Sequence, residues 1–144
     1  MKKYILGIVG LLFFLFLYYS AHPLATQIEI NGHRFTVELA VTPKEQERGL
    51  GYRDSLPVDA GMLFVYQSAQ IYGFWMKGMR FPIDIIWIAD ETIVDITKNA
   101  PVATTSSLPT YSPKEPANKV FEVHAGTADR LGFQIGDDVK ILKR

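Results

Sequence analysis

The run QIEINGHRFTVELA, Gln27 to Ala40, decides the fold class. Apolar and polar residues alternate on both sides of Asn31-Gly32. Asn-Gly between two alternating runs marks a tight β-hairpin. Ile28 and Ile30 share one face of the first strand, and Phe35, Val37 and Leu39 share one face of the second. Each strand is therefore expected to bury one face and wet the other.

Working toward the C-terminus, Thr42-Pro43-Lys44-Glu45 has the form of a capping box with proline at the first helical position. It predicts a short helix over Pro43–Arg48, stopped by Gly49 and Gly51. Four strand-like runs follow: Gly61–Tyr66, Gly73–Met76, Ile83–Ile88 and Thr92–Thr97. Ala89-Asp90-Glu91 is the expected turn between the last two. Residues 99–118 hold four of the eight prolines and read as a long loop. Lys119–Ala125 alternates again, Thr127–Leu131 reads as a helical turn ended by Gly132, and Asp138–Leu142 closes the chain as a strand. The expected fold is mainly β (α+β): a compact, barrel-like domain of seven or eight short strands with two short helices, over residues 27–144. Closure would remove exposed edges. An open sheet with both helices on one face is the alternative.

Toward the N-terminus, Lys2 and Lys3 precede an unbroken apolar run from Tyr4 to Tyr19. Extended to Ala21, it makes a helix of roughly 27 Å, just enough for a bilayer core of about 30 Å. The expected organisation is a basic cytoplasmic end (1–3), a transmembrane signal-anchor or signal peptide (4–21), a linker (22–26) and the domain. Cleavage after Ala21 would place bulky Tyr19 at the position that prefers a small residue, and cleavage after Ala25 would place Pro23 there. These poor sites favour an uncleaved anchor. The lysines put the N-terminus in the cytoplasm and the domain outside. Cleavage would instead leave a secreted or periplasmic protein.

Composition excludes several classes. The 144 residues carry 15 basic and 15 acidic side chains, so the basic excess of a nucleic-acid binder is missing. There is no cysteine, and hence no disulfide, thiolate metal site or thiol nucleophile. His22, His33 and His124 are not paired at ligand spacing, so no metal is expected. Met62 and Met76 read as core rather than as soft metal ligands, and Met79 as surface. Ser106 and Ser107 lie in a loop without a nucleophile elbow. Asp59, Asp84 and Glu122 are carboxylates that no spacing links. No catalytic residue and no cofactor is assigned.

Arg48-Gly49-Leu50, Asp59-x-Gly61-Met62-Leu63-Phe64, Phe74-Trp75-Met76-Lys77, Pro82-Ile83-Asp84-Ile85-Ile86, Asn99-Ala100-Pro101 and Gly136-Asp137-x-Val139 follow one another in a specific order and spacing. In these segments the chain resembles the family known as domain of unknown function 192. They run through almost the whole domain. Gly51, Gly78, Met79 and Val102 depart from the family's usual Met, Asn, Thr and Pro. The resemblance implies a small β-barrel-like fold, often behind an export signal, and no established activity.

Asp84 shares a face with Ile86 and Ile88, and a buried charge needs a partner. Arg48 or Lys77 is the expected one. Arg48, Arg53, Trp75, Lys77, Asp84, Asn99 and Tyr111 are the candidate ligand-binding residues of a polar pocket at one end of the barrel. A buried structural ion pair at Asp84 is the competing reading. The expected function is a membrane-anchored or exported binding or accessory module of the cell envelope, with a small ligand or an envelope protein as partner and no nucleic acid. One alternative is a small envelope enzyme with Asp84 as acid or base. Another is an interaction protein using an aromatic patch of Tyr72, Trp75 and Tyr111.

Overall fold

The computed structural model describes residues 26–103 and 108–142. The apolar run 4–21 and the serines Ser106 and Ser107 lie outside the described residues. Among the described residues no helix is long and apolar enough to cross a membrane.

The chain folds in the order β1 (Thr26–Ile30), β2 (His33–Ala40), α1 (Pro43–Arg48), β3 (Ala60–Gln70), β4 (Phe74–Trp75), β5 (Ile83–Ala89), β6 (Thr92–Ala100), β7 (Thr110–Tyr111), β8 (Ala117–His124), α2 (Thr127–Leu131) and β9 (Val139–Leu142). Asn31 and Gly32 both take positive φ, 51° and 78°, as the tight hairpin turn between β1 and β2 requires. The β5–β6 turn is tighter than expected: Ala89 pairs with Thr92, leaving only Asp90-Glu91 to turn. Asp90 takes a φ of 55° there. The capping box on α1 is complete, with the Thr42 hydroxyl accepting from Glu45 N and the Glu45 carboxylate accepting from Thr42 N.

Seven strands form one sheet in the order β6-β5-β8-β3-β2-β1-β9, and β4 and β7 form a separate ribbon. All pairs in the sheet are antiparallel except β2–β3. That parallel pair needs a crossover, and the crossover carries α1. The sheet curls into a half-barrel whose two edges touch near one end. Thr92 bridges to Asp138. Ile93 N donates to Asp137 O (3.0 Å), Gly136 N to Ile93 O (2.8 Å) and Val139 N to Glu91 O (2.8 Å).

The curl creates two cores. The inner one takes Ile28, Ile30, Phe35, Val37, Leu63, Ile86, Ile88, Ile93, Phe121, Val123 and Val139, so strands from both edges of the sheet reach it. Phe133 and Ala128 of the α2 region plug it. The outer core lies on the other face of β3, β5 and β8. There Phe64, Ile83, Ile85, Trp87 and Val120 are covered by Leu50, Leu56, Phe74, Met76, Met79 and Phe81 from the connecting segments. The three central strands are thus buried on both faces, which explains the near-continuous apolar run of β5. Leu39 breaks the expected alternation: it is 41% exposed, while Ala40 on the opposite face joins the outer core. Residues 99–118 are not wholly irregular, because β7 pairs with β4 within them.

Candidate functional site

The outer core is not completely filled. A cavity of about 240 Å³ opens between α1, the middle of β3 and the β4 segment. Each wall has a local cause. Phe64 projects from β3 at the last pair with β2, opposite Ala40, and Tyr66 just beyond that pairing. Phe74, Trp75, Lys77 and Met79 come from the β4 segment, which its pairing with β7 holds over the sheet. Arg48 and Glu47 lie on the last turn of α1 and stand at the mouth. The strand β8 supplies the floor, Glu122.

Glu122 is set between Met62 of β3 and Ile85 of β5 in the middle of the sheet. It is 5% exposed, and its Oε2 has no hydrogen-bond partner. Burial pushes its carboxyl up to about 8, against a smaller opposing pull from the Arg53 guanidinium. Burial thus favours the neutral carboxyl form of Glu122, which can donate as well as accept. Gly49 lets the chain pass directly over it. Its φ of 50° and ψ of −138° suit glycine alone. A Cβ there would stand 3.3 Å from the Phe64 ring and 3.8 Å from Glu122 Oε2.

The aromatic walls differ in exposure. Phe64 and Phe74 are buried and meet edge to face at 4.9 Å. Tyr66 stacks on Tyr72 at 3.8 Å. Burial first, then the fields of Tyr72 and Glu122, push the Tyr66 phenol up to about 12. Trp75 is 47% exposed, with the Lys77 ammonium 5.5 Å from its ring centre. Arg53 sits in an adjoining groove that shares Arg48 and Gly49. It grips Glu38 with two hydrogen bonds of 2.5 and 2.7 Å, which hold the Glu38 carboxyl below its ordinary range.

Of the seven candidate residues, the structure brings Arg48, Trp75 and Lys77 together at the cavity. Arg53 is next door, committed to Glu38. Tyr111 is half-buried on β7, opposite Phe74, and packs against the outer core. Asp84 and Asn99 are elsewhere. Asp84 faces the inner core, on the opposite side of the sheet from the cavity. The expected pairing with Arg48 or Lys77 does not form. Asp84 instead accepts from two backbone amides, Asn99 N and Ala128 N, each at 2.8 Å. It ties the end of β6 to the first turn of α2, and Asn99 takes part through its backbone at a φ of 53°. Met79, expected at the surface, is buried and lines the cavity.

Glu122 is the residue the sequence reading left unplaced. Its signal was present in Lys119–Ala125: a carboxylate in phase with Val120, between two apolar residues that face the other way. Only the strand order reveals that this second face is also covered. The departure at Gly78 has a visible counterpart. Its φ is 70°, a conformation that glycine and asparagine both tolerate. A Cβ there would meet the Tyr52 ring at 2.8 Å.

A curled half-barrel sheet with two short helices and a cavity on its outer face defines the class: a small, mainly β domain. The family model for domain of unknown function 192, described as an uncharacterised ACR, matches residues 26–141. The chain belongs to this family. A crystal structure from Sinorhizobium meliloti 1021, described as a candidate transcription regulator, is similar at 37% identity and a TM-score of 0.72. The match covers 81% of this chain and 94% of that one. A protein of unknown function from Novosphingobium aromaticivorans DSM 12444 is similar at 32% identity and a TM-score of 0.71, covering 83% of this chain and 89% of that one. Among curated proteins, none matches the chain.

Proposed function

We propose that this chain is a small-molecule binding module of the cell envelope, with the cavity over Glu122 as its binding site. One observation carries the reading: a buried carboxyl group with an unpartnered oxygen on the floor of an open, aromatic-walled cavity. A buried polar atom without a partner costs about 1–3 kcal/mol. A ligand that supplies the missing hydrogen bond recovers that cost, and binding sites are where such costs are retained. The small volume suits a ligand of about one ring. The apolar run 4–21 would hold the domain against the outer face of the membrane. The regulator description of the Sinorhizobium protein finds no support in this chain's charge, which balances to zero.

The test uses the full chain in detergent micelles. Its melting temperature is screened against metabolites and cell-wall fragments, with Glu122→Leu alongside. A ligand that binds only the folded state raises stability by mass action. The reading requires at least one compound that stabilises the wild type and not the variant. Ligands that stabilise both equally would place the site elsewhere. Membrane placement is tested separately by alkaline extraction of cell membranes, which releases peripheral proteins and retains an anchored one.

A further inference from the structure

The cavity is polar at both ends for different reasons, and this specifies the ligand. At the floor stands Glu122. At the mouth stand Arg48 and Lys77, and neither forms a salt bridge among the described residues. Arg34, Arg53, Arg80, Lys98 and Lys140 have carboxylate partners; Lys114, Lys119 and Arg130 form no salt bridge among the described residues either, but Arg48 and Lys77 are the cations that line the cavity. A groove adjoining the mouth adds a third such cation, Lys44, beside Arg48 and Lys77, with Glu47 as its acidic member. The mouth and this groove carry Lys44, Arg48 and Lys77 against Glu47, while the groove on the other side holds Arg53 with Glu38 and Glu45, its arginine already committed to Glu38. Between the ends the walls are aromatic.

Resting on the pocket reading above, we infer that the site takes a single-ring anion, held ring-inward with its carboxylate or phosphate at Arg48 and Lys77. A hydroxyl or carbonyl at the ring's far end meets Glu122. The ring lies against Trp75 and Tyr66. Lys77 is already steered by its position beside Trp75, and arginine is suited to gripping a carboxylate or phosphate with two parallel bonds. A second anion at the floor is disfavoured, because the floor is a carboxyl group. The polarity of the ligand is thus fixed: neutral end in, charged end out. The charged and titratable groups around Glu122 are Tyr66 on β3, Arg53 in the adjoining groove, Glu47 and Arg48 on α1, and Lys77 after β4. A neutral Glu122 supports the same orientation by donating to an oxygen.

Titration calorimetry on the full chain in detergent separates the possibilities. Glucuronate and 4-hydroxybenzoate are the probes, a sugar ring and an aromatic ring with the same two ends. Glucose and phenol are their neutral counterparts. At least one anionic probe is expected to bind 10-fold or more tightly than its neutral counterpart, and the tighter of the two identifies the ring. Arg48→Ala combined with Lys77→Ala should remove that advantage. Glu122→Gln, which keeps a neutral donor, should stay within about threefold of wild type, and Glu122→Leu should lose about tenfold. Neutral rings binding as well as the anions, with loss in Glu122→Leu, would overturn the anion inference and leave the pocket standing. Anionic binding unaffected by Glu122→Leu would overturn both. No binding of either anionic probe at about 10 mM would overturn the inference.

Discussion

Asp84 on β5 and Glu122 on β8 occupy neighbouring strands one residue apart in register: Asp84 lies opposite Val123, and Ile85 opposite Glu122. Both side chains are buried, yet they face opposite sides of the sheet. Asp84 enters the inner core and has both oxygens engaged by backbone amides. Glu122 enters the outer core, where one oxygen has no partner and a cavity opens above it. The first carboxyl group joins two elements and stabilises the fold. The second opposes the fold and, on the function proposed above, is the group a ligand would satisfy. Burial alone therefore says little about the role of a polar residue, and the partners say most.

The largest expected effect falls on the satisfied member. Asp84→Ala leaves the Asn99 and Ala128 amides without an acceptor and should cost about 2–5 kcal/mol. Denaturant unfolding measures it, and a change under about 1 kcal/mol would remove the contrast. The sign reverses at Glu122. Its folded-state proton affinity is raised from 4.5 to about 8, so burial stabilises the folded state least where the group is ionised. Below about pH 4.5 both folded and unfolded chains are protonated there and burial of the charge costs nothing. As pH rises from 4.5 toward 8, the wild type loses stability, on the order of 1 kcal/mol per unit. Glu122→Leu should consequently be more stable than wild type at pH 7 by on the order of 3 kcal/mol, the advantage widening across that window and levelling above it. A variant less stable than wild type at pH 7 would show that Glu122 is a structural group like Asp84.

Two smaller effects sharpen the comparison. Gly49→Ala should cost about 1–3 kcal/mol, since no other residue suits its backbone angles. Its methyl group would also crowd the space over Glu122, so the variant should bind ligand more weakly than its stability loss explains. Arg53→Ala breaks a partly exposed pair with Glu38 and should cost under about 1 kcal/mol. It also withdraws the cation that favours ionised Glu122, so the Glu122 titration should move upward. An unchanged titration would mean that burial alone sets it.

Most of the framework was legible in the sequence because its signals are local. Asn31-Gly32 fixed the first hairpin, Thr42 to Glu45 fixed α1, and Gly132 fixed the end of α2. The alternation in Ile83–Ile88 placed Asp84 on the correct face. Its partner was misjudged because a backbone amide leaves no mark in the sequence, whereas Arg48 and Lys77 do. Trp75, Lys77 and Arg48 were found as a group, since charged and large aromatic residues beside a strand stand out. Glu122 was not, because its burial depends on β8 lying between β3 and β5, and on the β4 segment folding back over that face. Both are long-range events that no local pattern encodes.

The most direct measurement is a carbon NMR titration of the Glu122 side-chain carboxyl, assigned by its disappearance in Glu122→Gln. The account predicts a carboxyl that stays protonated through about pH 6 and titrates near 8, and whose resonance moves when a ligand enters the cavity. A midpoint close to the ordinary 4.5, with a resonance indifferent to every stabilising ligand, would contradict it.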